Sequence, residues 1–429
     1  MNILIAGTTG ESMPPPYGGV PKLVLFYAGI WKEKGHNVAA NFPYDSASGK
    51  RDDLGANAEY FFEYTKKPTN FDKGVFLLKH FLRSPILYTN LLVSYVRIAP
   101  KINKEVLLYA AYGVFIDGVF KKFKPDIVLG EGVLIKTYMA SKIAKKWGVP
   151  IVFDSYAEVH DDSMGVNKWL INGGREKYWQ TFLDLADFVI TPGPYCSRGP
   201  LKYLPKEKVQ YVYDGSDYGV LKFDIPNDKK VLRKSLNLPE DMFLLVSVGA
   251  FEYRKGHDLL IKTVAKLAKA GLNIGAVICG GSGDPEKWKT LAKEEGIPDR
   301  LFIFNRIPEI QLAKMYKSVD VYCELENTPR ACGFTMAILE GMASSLPVII
   351  FDNEDMMEAI QGGKSGFAVP MNDTVALYKA IYEMYNLSPE QRTIMGELNS
   401  KLAKSIDIRY TSLKKLELLE KVKKNYIKS

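Results

Sequence analysis

The sequence predicts an α/β protein made of two doubly wound domains of similar size. Strand-like runs alternate with helix-length segments from end to end, the pattern of parallel sheets covered by helices. A chain of 429 residues exceeds the usual single-domain size, so two or three domains are expected, with a core that needs no staples. A break from Asp214 to Asn227, carrying Gly215, Gly219 and Pro226, separates two series of runs and reads as an interdomain linker.

In the first series, strands are expected at Ile3–Ala6, Val38–Phe42, Ile127–Gly130, Ile151–Asp154, Phe188–Thr191 and Val209–Tyr213. The second series is Phe243–Gly249, Ile274–Gly280, Leu301–Phe304, Asp320–Cys323, Val348–Phe351 and Gly366–Val369. Most are short and apolar, as buried parallel strands are. After Leu387 the chain is lysine-rich and helical with no further strand. The expected domains are therefore 1–215 and 216–400, followed by a terminal helix at 401–429.

Composition is that of an ordinary globular protein, with 47% apolar and 25% charged residues. The formal charge is +8, and the excess sits in the first half, where 27 Lys and Arg face 21 Asp and Glu in 1–215. Such an excess is usually a solvated face; it also suits an anionic membrane surface or a phosphate-bearing acceptor. No basic block alternates with aromatics in a compact module, which argues against nucleic acid. The four cysteines form no CxxC pair and have no histidine at metal spacing, which suggests a reducing, cytoplasmic setting. Met1–Gly7 has no basic region before its apolar residues and reads as a first strand, not a signal peptide. The uncharged run from Ser84 to Val96 is too short to span a bilayer, for which about twenty residues are needed. Phe76 to Phe123 mixes aromatic and aliphatic residues with Lys79, Arg83, Arg97, Lys101 and Lys121–Lys122. Helices there belong to the core or, as an alternative, touch a membrane or a lipid-linked acceptor.

The most informative stretch runs from Asp320 to Ile350. A short strand is followed by the turn Cys332-Gly333-Phe334-Thr335, then by a helix from about Met336 that carries Glu340 and is stopped by Ser344, Ser345 and Pro347. A glycine turn feeding a helix N-terminus favours anions, and a carboxylate on that helix can accept two hydrogen bonds from a ribose diol. Upstream, Ala250-Phe251-Glu252-Tyr253-Arg254-Lys255-Gly256 leads from a strand into a helix beginning near His257. Cations at a helix start oppose its dipole, which favours a ligand role for Arg254 and Lys255 over a mere exposed turn. Cys279-Gly280-Gly281-Ser282-Gly283 is a second glycine turn after a strand, and Arg306-Ile307-Pro308 precedes another helix. Near the N-terminus, Gly18-Gly19 follows Pro14-Pro15-Pro16-Tyr17 and precedes a helix from Val20 to Gly35. Gly7-Thr8-Thr9-Gly10 is not a GxGxxG, so a nicotinamide fold is a poor reading.

These motifs together resemble family 4 glycosyltransferases, retaining enzymes of the GT-B fold. The resemblance implies two Rossmann-like domains facing across a cleft, with C-terminal helices crossing back to the first. It implies transfer of a sugar from a nucleoside diphosphate sugar to a hydroxyl acceptor such as a glycan, glycolipid or lipid-linked precursor, with no cofactor and no metal. By position, Lys255 and Arg254 are expected on the donor diphosphate and Glu340 on the ribose. Gly18, Gly19, Gly281, Gly333, Phe334 and Thr335 line the donor, and Ile307 faces the base. Either Tyr156 or His160 takes the place of a histidine near the reacting sugar. The chain departs from the family where Cys332 replaces the first glutamate, Thr335 a glycine and Ala250 an arginine. Cys332 and Ala250 motivate one alternative, a nonenzymatic sugar-nucleotide-binding or regulatory subunit; a nucleotide-sugar epimerase of the same fold is a second.

Overall fold

Every strand pairing in the computed structural model is parallel. The structure describes residues 1–7, 19–44, 58–98, 104–155, 174–218, 221–327, 333–352 and 354–427. They divide into two units, Met1–Asp214 with Arg409–Ser429, and Gly215–Ile408.

The strands of the first unit are β1 (Asn2–Ala6), β2 (Asn37–Tyr44), β3 (Glu59–Tyr64), β4 (Ile127–Glu131), β5 (Ile151–Asp154), β6 (Phe188–Thr191) and β7 (Val209–Tyr211), in sheet order β3-β2-β1-β4-β5-β6-β7. The central strands β4 and β5 are buried throughout, because helices cover both faces of a parallel sheet and leave no polar side. Strand β3 was not expected. Its sequence EYFFEY neither alternates nor forms an apolar run, and all six residues are only half-buried at the sheet edge.

The second unit holds β8 (Phe243–Val248), β9 (Ile274–Gly280), β10 (Leu301–Asn305), β11 (Val321–Glu324), β12 (Val348–Phe351) and β13 (Gly366–Val369), in order β10-β9-β8-β11-β12-β13. This is the doubly wound Rossmann order, in which the chain works outward from β8 to one edge and then returns to β11 on β8's other side. Ligands in such sheets gather at the carboxyl ends of the strands flanking that switch, here β8 and β11. The core beneath is apolar, with Leu245, Ile261, Ile278, Trp288, Cys323 and Ile349 all buried.

The two terminal helices part company. Pro389–Ser405 stays with the second unit, where Asn399 Nδ2 donates to the Leu346 and Ser365 carbonyls, both at 2.9 Å. Helix Ile408–Tyr426 crosses to the first unit from Arg409 onward. Trp31 Nε1 there donates to the Ser412 carbonyl at 2.9 Å, and the buried Lys415 ammonium reaches Asp154 at 2.6 Å, Asp214 at 2.9 Å and the Tyr27 hydroxyl at 2.9 Å. Burial alone would lower the Lys415 pKa, but the two carboxylates outweigh it and hold the amine charged.

Candidate functional site

Glycine brings two loops together at the switch point. Gly256 takes φ +67°, and a side chain there would fall 2.2 Å from the Leu325 carbonyl, so only glycine lets the loop after β8 lie against the segment leaving β11. The loops are then fastened by the Asn327 N–H, which donates to the Arg254 carbonyl at 2.8 Å. Gly249 plays the complementary part, since a side chain on it would meet the Lys255 stem at 3.0 Å. Lys255 is thereby laid across the end of β8 and directed at β11.

What it meets there is a pair of buried carboxylates, Glu324 and Glu326. Lys255 Nζ donates to Glu326 Oε2 and lies 3.5 Å from Glu324 Oε1. Arg254 donates to Glu326 Oε1 at 2.7 Å and to Glu252 at 2.6 Å. One carboxylate, Glu326, therefore bridges both cations with its two oxygens. Burial pulls the Lys255 ammonium down, but Glu324 and Glu326 more than offset that and raise its pKa above the ordinary lysine value. Arg254 is raised in the same way, burial opposing and Glu326 and Glu252 prevailing.

Glu324 ties the cations to the glycine turn. Its Oε2 accepts from the Tyr322 hydroxyl and from Thr335 Oγ1, both at 2.9 Å. Thr335 in turn caps helix Met336–Ala343 by accepting from the Ile338 N–H at 3.2 Å. One turn on, the buried Glu340 accepts from the Tyr316 hydroxyl at 3.1 Å. The Gly333 N–H, in a residue at φ +67°, donates to the buried Asp355 carboxylate at 3.1 Å.

On the other side of β8, the turn after β9 is coupled to the same loop. The Phe251 N–H donates to the Ser282 carbonyl at 2.7 Å, and Gly249 N–H to the Cys279 carbonyl at 2.9 Å. Arg306, at φ +54°, donates from its N–H to the Gly280 carbonyl at 2.7 Å and from Nε to the Gly281 carbonyl at 2.9 Å. Gly281 is exposed with open space around it, and Ile307 beside Arg306 is half-buried. The imidazole of His257, first residue of helix His257–Lys269, is buried against Trp288 with Nε2 3.0 Å from the Ala250 carbonyl; burial lowers its pKa to about 4.

Lys255, Arg254, Thr335, Gly333, Glu340, Gly281 and Ile307 thus lie on loops or helix starts after strands of one sheet, the first three linked through Glu324 and Glu326. Gly19 opens helix Gly19–Glu33 in the other unit. Gly18, Tyr156, His160 and Cys332 lie outside the described residues. Sequence reasoning names neither Glu324 nor Glu326. The available signal was two acids, Glu-Leu-Glu, closing an otherwise apolar strand where such sheets bind ligands.

Residues 228–401 match the family of glycosyl transferases group 1. Over those residues the chain is similar to group 1 glycosyl transferases. It is similar to the putative glycosyltransferase EpsD of Bacillus subtilis, 23% identical over 298 residues, covering 69% of this chain and 74% of EpsD. It is also similar to D-inositol 3-phosphate glycosyltransferase 1 of Catenulispora acidiphila, 28% identical over 176 residues, covering 39% of this chain and 41% of that one. With the second of these the chain shares less than half its relative's length. Among solved structures, sucrose-phosphate synthase from Thermosynechococcus elongatus superposes with a TM-score of 0.71 over 98% of both chains at 16% identity. HepE from Anabaena, in complex with UDP, does so with 0.70 over 98% of this chain and 100% of its own at 15%. The fold shared with these structures is GT-B, as the sequence resemblance implied.

Proposed function

We propose that the protein transfers a sugar from a nucleoside diphosphate sugar to a hydroxyl acceptor, with retention at the anomeric carbon. The observation that carries this reading is the Glu326 carboxylate bridging Arg254 and Lys255 at the switch point. A carboxylate held by two cations is a small anion with two oxygens in a site shaped for one. A phosphate of the donor offers the same charge sign and more oxygens, and would take Glu326's place. Glu340, anchored by Tyr316, is proposed on the ribose, and Gly281 and Ile307 on the nucleoside side.

In the proposed reaction the bond from the anomeric carbon to the diphosphate oxygen breaks while the acceptor oxygen bonds to the same face. The acceptor's proton passes to the departing diphosphate. Charge grows on that leaving group, and Lys255 and Arg254 stabilise it most when it is greatest, which lowers the barrier and not merely the binding energy. His160 or Tyr156 is proposed beside the sugar.

A nonenzymatic nucleotide-sugar-binding subunit is the second reading. It is favoured by the neutralisation of both cations by carboxylates and by Asp355 occupying the Gly333 amide. A panel of UDP-, GDP- and ADP-sugars separates the two, UDP first because HepE holds it. The transferase releases nucleoside diphosphate from at least one donor, whereas the binding subunit is only stabilised by it. Neither release nor stabilisation with any donor would contradict both.

A further inference from the structure

We propose that the first unit docks on the surface of an anionic lipid bilayer through helix Asn70–Arg83. On this helix Phe71, Val75, Leu78 and Leu82 recur at intervals of four, three and four residues, which places them on one face. All four are exposed, Phe71 at 79% and Leu82 at 68%. The opposite face is the one that serves the core: Phe76 and His80 are buried, their rings 4.4 Å apart, and both lie against Phe115, Phe76 tilted and His80 edge-on. The next helix, Pro85–Val96, continues with Ile86, 78% exposed in its first turn. A helix that buries its apolar face normally turns polar residues outward, whereas this one is apolar on both sides, so the outer stripe is unaccounted for by folding.

Charge says what covers it. From Lys73 to Lys104 the chain has no Asp or Glu and six basic residues, Lys73, Lys79, Arg83, Arg97, Lys101 and Lys104. Lys66 and Lys67 are exposed just before the helix, and Lys79 lies beside the apolar stripe. Asp72, the helix's single acid, is consumed in the N-terminal cap, where it accepts from the Thr69 N–H at 2.8 Å and hydroxyl at 2.7 Å. The bias extends to the whole unit. Met1–Asp214 with Arg409–Ser429 carries 34 Lys and Arg against 23 Asp and Glu, a formal +11, while Gly215–Ile408 carries 23 against 26, a formal −3. A second copy of the chain would bring two net-basic faces together at a cost in repulsion. An acidic headgroup layer over hydrocarbon supplies the complementary charge and the apolar phase at once, and lysine stems reach the headgroups while the stripe enters the acyl boundary.

The helices beneath are closely packed. Helices Asn70–Arg83 and Pro85–Val96 rest on Lys104–Phe123, where a side chain on Gly113 would meet Leu91 at 2.5 Å and one on Gly118 would meet the Arg83 guanidinium at 2.6 Å. No helix among the described residues is long and apolar enough to cross a membrane, so attachment is at the interface. The inference rests on this surface alone and not on the nucleotide reading.

Sedimentation of the full chain with phosphatidylcholine vesicles, with and without phosphatidylglycerol, tests it. The native chain should pellet with the anionic vesicles and be partly released by salt. The double variant Phe71→Asp/Leu82→Asp should bind at least about tenfold more weakly, each exposed ring or branch contributing that order by burial. Its thermal unfolding should match the native chain's, because both side chains are outside the core. A triple charge reversal at Lys66, Lys67 and Lys79 should remove the preference for anionic lipid. The proposal is overturned if the native chain stays in the supernatant with both vesicle types, or if the double variant pellets equally well. Self-association abolished by the double variant, without vesicle binding, overturns it as well.

Discussion

Glu326 sits where an anionic ligand would, bridging Arg254 and Lys255, so its removal and that of Lys255 should have opposite effects. In Glu326→Gln the competing charge is gone while Glu324 and Glu252 still position the cations. Nucleoside diphosphate affinity should rise by about 1 kcal/mol, read by calorimetric titration. Glu340→Ala should weaken the same affinity by about 1–3 kcal/mol through lost charge-assisted hydrogen bonds, and unchanged affinity would remove Glu340 from the site. His257 gives a pH signature. Its pKa falls from an ordinary value near 6.5 to about 4 in the folded protein, chiefly by burial, so the unfolded chain binds a proton that the folded one does not. Stability from this group is complete above about pH 6.5 and is lost as pH falls toward 4, a loss on the order of 3 kcal/mol. Thermal unfolding at pH 7 and pH 5 should show a smaller decline for His257→Gln than for the native chain. Lys255, Arg254 and Glu340 are candidates in the sequence through their glycine turns and helix starts together with the family resemblance. Glu324 and Glu326 could not, since their meaning lies in partners 69 to 72 residues away.

At the scale of elements, twelve strands were legible because most are short apolar runs that alternate with helix-length segments. Strand β3 was not, being an edge strand whose pairing with β2, and not its own pattern, makes it a strand. The route of the last helix was expected only through family resemblance, and its physical basis is visible in the structure. Lys415, buried completely, joins Asp154 at the end of β5 to Asp214 at the end of the first unit's main segment. Lys415→Met leaves two acids without their cation and should cost about 3–5 kcal/mol in the first unit's unfolding transition. Lys415→Arg should recover part of that loss, because the charge is kept although the fit is not. Equal stability of the native chain and Lys415→Met would show that the clasp contributes nothing.

For the whole molecule, the division of labour follows chain routing. The charge excess counted in the first half becomes sharper once the terminal helix joins that unit, leaving a cationic first unit and a mildly acidic second one. Deleting 409–429 should therefore strip hydrogen-exchange protection from β1–β7 while β8–β13 keep theirs. Loss of protection in both sheets would contradict two separately stabilised units. Arg254 and Lys255 are proposed to hold the diphosphate of a nucleotide donor. Titration of UDP, GDP and ADP into the native chain, Lys255→Ala and Glu326→Gln tests it most directly. One nucleotide should bind the native chain, and should bind Lys255→Ala at least about tenfold more weakly and Glu326→Gln more tightly. Equal binding to all three proteins, or none by any nucleotide, would contradict it.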